Sequence, residues 1–239
     1  MRLGALAVVV AALALAGPLA AEPVDLELVL AVDVSRSVDP EEAKLQREGY
    51  IAALQHPRVL QAIRSAPHGR IAVTYVEWAG VDIQYTVVPW SLITDDNSAA
   101  AFTARIAAAP YVARNWTSIS GAIDYSVPLF ENNGFEGTRR VIDISGDGRT
   151  NQGRPTAAAR DDAVAAGITI NGLPVINERL NFYRPPEGDL DAYYRENVIG
   201  GMGAFLIVAE NFNAFTGAIL SKLIREIAGD PVDMSLAQQ

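Results

Sequence analysis

The chain has 239 residues, 50% of them apolar, with 28 acidic and 19 basic side chains, a formal net charge of −9 and no cysteine. That length suits one domain with a sizeable core. The acidic balance argues against a nucleic-acid binder, which should show a basic stripe, and against docking on anionic lipid; the missing cysteines exclude disulfides and thiolate chemistry.

Residues 1–21 read as a signal peptide. Arg2 is the positive start, Leu3 to Ala16 the apolar run, and Gly17 to Ala21 the small-residue break for cleavage. No cysteine follows the apolar run, which excludes a lipoprotein anchor, and no later segment is long and apolar enough to span a bilayer. Cleavage leaves 22–239 as a single periplasmic or secreted domain. It removes one positive side chain and no acid, so the net charge becomes −10.

From there the pattern alternates. Asp25 to Val32 is an apolar strand. Asp39 caps a helix that opens on Pro40 with Glu41 and Glu42 in its first turn and runs to Leu54. Val59 to Ser65 adds a turn or two of helix after His56-Pro57. Ile71 to Trp78 and Ile83 to Val88 are strands joined so closely that they should form an antiparallel hairpin. Helices are expected over Asn97–Ala108 and Ser118–Phe130, a strand over Arg139–Ser145, a helix over Pro155–Ala166 and a strand over Ile168–Val175. Asn177 to Asp189 is a polar, Pro-rich loop. Leu190–Asn197 is a short helix, Ala204–Val208 a strand, and Phe212–Ile227 a last helix with Phe215, Ile219, Leu223 and Ile227 on one apolar face. Continuous apolar strands separated by helices predict an α/β fold: a Rossmann-like, doubly wound, mostly parallel sheet with one antiparallel edge strand and helices on both faces.

The densest chemical signal is Asp33-Val34-Ser35-Arg36-Ser37, directly after the first apolar strand. Residues at i, i+2 and i+4 point the same way from an extended chain, and a loop leaving the strand curls them around one point. Hard oxygen ligands with no His or Cys nearby suit Mg2+, Mn2+ or Ca2+ rather than Zn2+ or Cu2+. Asp147-Gly148 follows a second apolar strand, and Thr117 precedes a helix, five residues before Ala122-Ile123. In a doubly wound sheet such positions share the carboxyl edge, where ligands bind.

These three segments in this order resemble the von Willebrand factor type A (vWA) domain and its metal-ion-dependent adhesion site. The resemblance covers roughly residues 24–229, and its nearest form is a bacterial secreted family of unknown function, DUF1194, which shares the look of the runs Ala31–Asp39, Ile144–Gly148 and Gly200–Phe205. It implies a divalent cation, Mg2+ first, with Mn2+ or Ca2+ as alternatives. Ser35, Ser37 and Thr117 would be ligands, with Asp33 and Asp147 supplying charge directly or through water. It also implies no catalysis, and a protein partner whose Glu or Asp carboxylate completes the metal shell, so that the cation bridges two acidic surfaces. In relatives the last helix moves when ligation changes, a role that falls here on Phe212–Ile227. One departure stands out. The resemblance calls for hydroxyl-Asp-Gly after the strand, whereas this chain reads Ser145-Gly146-Asp147-Gly148. Asp143 is thus a second candidate for the third acid. Asp147 is preferred because it sits in the loop, and Asp143 inside the apolar run is expected to be a buried acid paired with an arginine or backbone donors.

Rival readings have less to stand on. The only histidines, His56 and His68, adjoin prolines and read as turn residues. No G-x-S-x-G elbow, P-loop or dinucleotide fingerprint occurs. A metal-assisted phosphatase would want Asp-x-Asp where this chain has Asp-x-Ser, and an EF-hand starting at Asp143 would end on Arg154 rather than Glu. A metal-assisted hydrolase and a metal-free structural module remain the alternatives. Trp116, Arg36, Arg149, Asn151 and Gln152 are candidates for the rim of the site.

Overall fold

The structure is a computed structural model that describes residues 21–176 and 188–229. The expected signal peptide and most of the loop expected from Asn177 lie outside the described residues. In chain order the elements are β1 (Glu22–Val24), β2 (Leu26–Asp33), α1 (Pro40–Leu54), α2 (Pro57–Ser65), β3 (Ile71–Trp78), β4 (Gln84–Ile93), α3 (Asp96–Ala108), α4 (Ile119–Ser126), β5 (Phe135–Gly137), β6 (Arg140–Gly146), α5 (Thr156–Ala165), β7 (Thr169–Pro174), α6 (Leu190–Tyr193) and α7 (Phe215–Ala228).

The main sheet has the order β4-β3-β2-β6-β7, parallel throughout except for the antiparallel β3–β4 pair at the edge. The doubly wound α/β architecture with one antiparallel edge strand is therefore present. Both faces of the inner strands are dry, which is why they read as unbroken apolar runs, while the edge strand β4 is only half-buried. Leu26, Leu28, Leu30 and Val32 of β2 pack on one side with α1, α2, α3 and α7, while Val29 and Ala31 pack on the other with α4, α5 and α6. The alternation is that of a strand buried on two faces.

Helix starts follow their caps. Asp39 accepts from the Glu41 and Glu42 amides, and Glu42 returns a bond to the Asp39 amide. Asp95 caps α3 in the same way with Ser98. His56 Nδ1 accepts from the Arg58 amide, so this residue caps α2 rather than simply occupying a turn. The expected single helix over 118–130 splits at Pro128, and Val127–Phe130 tightens to a 3-10 turn.

The second hairpin strand, expected over Ile83–Val88, runs instead from Gln84 to Ile93, past Pro89 at the sheet edge, and three further features differ from expectation. A two-stranded parallel sheet, β1–β5, lies outside the main sheet; at three residues each, these strands carry too little periodicity to be seen in the sequence. The strand expected over 204–208 is irregular: it touches β7 only through isolated bridges, Gly172↔Leu206 and Val175↔Ala209. Gly201 and Gly203 take positive φ just before it, and the Asn171 side chain accepts the Phe205 amide in place of a ladder carbonyl. The helix expected over 190–197 passes from α6 into a wider π-type turn at Tyr194–Val198. Among the described residues no helix is long and apolar enough to cross a membrane.

The last helix is held tightly. A Cβ built on Gly49, inside α1, would lie 2.7 Å from Cδ1 of Phe215 at the start of α7. Glycine inside a helix costs about 1 kcal/mol relative to alanine, and here it permits the close approach of α1 and α7. Gly49→Val should lower stability by about 1–3 kcal/mol through overpacking. The measurement is the denaturant midpoint at constant slope; a variant as stable as the parent would contradict this helix contact.

Candidate metal centre

β2 and β6 are parallel neighbours, with Val32 opposite Ser145, so their carboxyl ends emerge side by side. From β2 the sheet continues to β3 on one side and β6 on the other. The pair is the topological switch point, where doubly wound folds place ligands. Asp33 is the last residue of β2, and Asp147 is the first after β6.

The loop after Asp33 is shaped by its own side chain. Asp33 Oδ1 accepts the Ser35 amide at 2.7 Å, an Asx-turn that curls the chain back over the strand end. Ser35 Oγ lies 2.8 Å from Ser37 Oγ, and Ser37 donates to Asp147 Oδ1 at 2.6 Å. Four of the five predicted site residues thus form one hydrogen-bonded chain, all of them buried. Thr117 is tied to the crest only through its backbone and its neighbours. Its amide donates to Asn151 Oδ1, its carbonyl accepts the Asn151 amide, and Arg114, three residues earlier, bridges to Ser35. The Thr117 side chain is buried too, though it makes no hydrogen bond to the other four.

The electrostatics of the crest are unfavourable without a cation. Asp33 is fully buried; its Oδ2 lies near the Asp147 amide but makes no hydrogen bond of ordinary geometry. Burial first, and the facing Asp147 second, push the Asp33 carboxyl up to about 8, against a weaker pull from the Ser35 amide. Two carboxylates and three hydroxyls make an all-oxygen set that suits a hard divalent ion. Among the described residues no group of three His, Cys, Asp or Glu could hold a metal, so this donor set depends on hydroxyls.

The extra glycine of Ser145-Gly146-Asp147 has a steric reason. A Cβ at Gly146 would lie 2.9 Å from the Tyr194 hydroxyl and 3.1 Å from Asp33 Oδ2. Asp143 goes elsewhere. It is fully buried with its Oδ1 2.6 Å from Nζ of Lys222 in α7, and Lys222 also binds Glu226 at 2.5 Å. Its partner is thus a lysine from the last helix. Ser145 is likewise turned to the α1 side, where it accepts from Tyr50.

The rim residues divide. Arg149 pairs with Asp189 and stacks on Tyr193, away from the crest. Gln152 accepts the Val81 amide and fixes the β3–β4 hairpin. Asn151 is the two-point clamp on Thr117. Trp116 is 57% exposed with φ of +69°. Tyr194 carried no sequence signal, and Gly146 showed only as an inserted residue, because their importance lies in a contact between segments nearly 50 positions apart.

The sheet order, the antiparallel edge and a hydroxyl-carboxylate crest at the switch point define a von Willebrand A-type fold. Solved structures agree at low identity. Proximal thread matrix protein 1 (PTMP1) from the mussel byssus superposes with a TM-score of 0.60 at 13% identity, covering 87% of this chain and 49% of its own. Another structure of that protein, described as having a zinc-occupied MIDAS motif, gives 0.55 at 14% over 86% and 45%. BatB from Bacteroides thetaiotaomicron gives 0.52 at 20%, covering 86% of this chain and 100% of its own. The chain spans about half the length of PTMP1. No functionally curated protein matches it in sequence. The sequence profile described as "Protein of unknown function (DUF1194)" matches residues 23–231, and the chain belongs to that family.

Two outcomes follow from the buried acids. Gly146→Ala should destabilise the protein by about 1–3 kcal/mol, read by thermal unfolding; an unchanged melting temperature would show that the crest tolerates a methyl group. Burial, with Glu226 adding and Lys222 opposing, also raises Asp143, to about 7. Both raised acids hold a proton more tightly folded than unfolded, where their ordinary value is 3.8. Their contribution to stability is full below pH 4 and is lost as pH rises through 7 to 8. In chelator, stability should fall across this window, and Asp143→Asn should flatten part of the fall; a rise that the variant leaves unchanged would contradict it.

Proposed function

We propose that the domain is an exported, non-enzymatic binding module in which one divalent cation, Mg2+ first, bridges the crest to a Glu or Asp carboxylate of a protein partner. Ser35, Ser37 and Thr117 supply neutral oxygen ligands, and Asp33 and Asp147 supply the charge, directly or through ordered water. Mn2+ and Ca2+ have the same ligand preferences and remain competitors for the site. The two carboxylates balance the ion over the site as a whole, but where they act through water the directly coordinated oxygens are neutral, and the ion still attracts a carboxylate at its open position to a chain that is itself acidic.

The observation that carries this reading is Asp33: a fully buried carboxylate, facing a second carboxylate, with one oxygen short of a hydrogen bond. A structural module has no use for such a group, because burying it unpaired costs several kcal/mol. A cation turns the same arrangement favourable. The fold relatives support it through the zinc-occupied MIDAS motif described for PTMP1.

Calorimetric titration of residues 22–239 with Mg2+, Mn2+ and Ca2+ tests the proposal beside Asp33→Asn, which keeps the turn-forming acceptor and removes the charge. The parent should bind one ion saturably and gain about 2.7 kcal/mol of stability at a cation concentration 100 times Kd. Asp33→Asn should lose both effects while remaining at least as stable as the parent in chelator at pH 8. A variant that unfolds more readily in chelator, with a parent silent to millimolar cation, would support the metal-free structural alternative.

A further inference from the structure

Five large apolar side chains stand exposed among the described residues: Val81, Tyr85, Val112, Trp116 and Met202. Four of them border the crest. Trp116 precedes Thr117, and its Cβ lies 3.3 Å from where a Cβ on Gly80 would sit, beside Val81. Val81 in turn lies 3.5 Å from the corresponding position on Gly153, in the loop that follows Asp147. Tyr85 lies under the Arg114 guanidinium, 5.7 Å from ring centroid to Cζ. Val112 belongs to the same loop as Arg114, beside Tyr111, whose hydroxyl donates to the Val38 carbonyl.

The loop that carries Trp116 is built around the metal-site loop. The Arg114 amide donates to the Val34 carbonyl, between Asp33 and Ser35. Trp116 is held at a positive φ that costs a bulky residue on the order of 1 kcal/mol and glycine nothing. An indole placed there and left more than half exposed adds little to the fold. Two arginines stand near it in a chain of net charge −9: Arg36 is exposed between the two serines, and Arg114 is a half-buried residue whose Nε is buried without a hydrogen-bond partner. An apolar ledge, a donor and a cation site therefore lie together on one edge of the molecule.

We infer that this edge recognises a protein segment in which an Asp or Glu is flanked by a bulky apolar residue: the carboxylate goes to the cation and Arg114, and its apolar neighbour lies on Trp116 and Val81. The inference rests on the metal-bridging reading above and adds the neighbour that the partner must carry. An interface core of this kind, an exposed tryptophan beside an arginine, has the composition that concentrates binding energy.

The test uses residues 22–239 in saturating Mg2+ and three blocked peptides, acetyl-Leu-Glu-Leu-amide, acetyl-Ser-Glu-Ser-amide and acetyl-Leu-Gln-Leu-amide, titrated by calorimetry. The Leu-flanked glutamate should bind about tenfold more tightly than the Ser-flanked one, the gain from partly burying one leucine. Trp116→Gly should abolish that preference, leave the Mg2+ isotherm unchanged and melt no lower than the parent, because glycine accepts the backbone. Equal binding of the Leu and Ser peptides, or a preference that survives Trp116→Gly, overturns the inference while the cation site stands. A glutamine peptide that binds as well as its glutamate counterpart overturns carboxylate bridging itself. A silent Mg2+ titration removes the metal reading and this inference together. Sedimentation that shows a dimer lost in Trp116→Gly, with no peptide binding, would assign the ledge to a second copy of the chain and also overturn it.

Discussion

Two carboxylates at the ends of adjacent parallel strands set the terms for the rest of this structure. Asp33 and Asp147 are both fully buried, and their mutual repulsion adds to the loss of water around each. A fold keeps such a pair only if something compensates. Part of that compensation is local: the Ser35 amide and the Ser35–Ser37 hydroxyl pair turn hydrogen atoms toward the acids. Gly146 brings Asp33 close by giving up its side chain. On the proposed reading a cation would supply the remainder, and the geometry that weakens the metal-free crest would then favour a hard ion.

Behind the crest, a second polar group ties the functional edge to the last helix. Ser145, two residues before Asp147, accepts from Tyr50 of α1. Asp143, two residues earlier again, binds Lys222 of α7, which also holds Glu226; Glu226 accepts from Asn171 of β7. Removing one member of such a buried group is strongly destabilising because the others lose their partner. Arg139 then closes the far end of α7 by donating to the Glu226 and Ile227 carbonyls. The strand that ends just before Asp147 and the helix that packs against α1 at Gly49 are therefore bonded to each other. A shift of β6 at the crest would be felt directly by α7, through an ion pair rather than through adjustable apolar packing.

How much of this could be read in advance depended on the range of the interaction. Strands buried on both faces announce themselves as unbroken apolar runs, and a cap such as Asp39 lies next to the helix it starts. These were legible, as was the D-x-S-x-S turn, because its first bond spans two residues. Contacts between distant segments were not. Gly146 looked like an irregularity until Tyr194 and Asp33 were seen against it. Lys222 and Glu226 sit at helix spacing with Phe215 and Ile219, so two charges lay on the apolar face of α7. Only the position of Asp143 explains them. The β1–β5 pair escaped notice for another reason: at three residues each its strands are too short to leave a period, whereas the segment after Gly203 read as a strand and is held only by isolated bridges.

The positions where this chain departs from local preference mark its working edge. A carboxylate lies buried without full hydrogen bonding at Asp33, a side chain is missing at Gly146, and a tryptophan at position 116 occupies a backbone conformation that suits glycine. Each is unfavourable alone, and none is needed to close the sheet or cap a helix. All three lie at the carboxyl ends of the strands, while the opposite end is satisfied: Glu27 receives the Gly137 amide and the Asn133 side chain, and Asp25 receives the His68 and Arg70 amides. Natural sequences tolerate such local conflicts where a ligand or partner resolves them. Here the three departures differ in kind. The acids call for charge, the glycine for close approach and the indole for apolar surface, and a cation alone answers only the first two. On the proposed reading, the third is the departure that a partner, rather than the metal, would resolve.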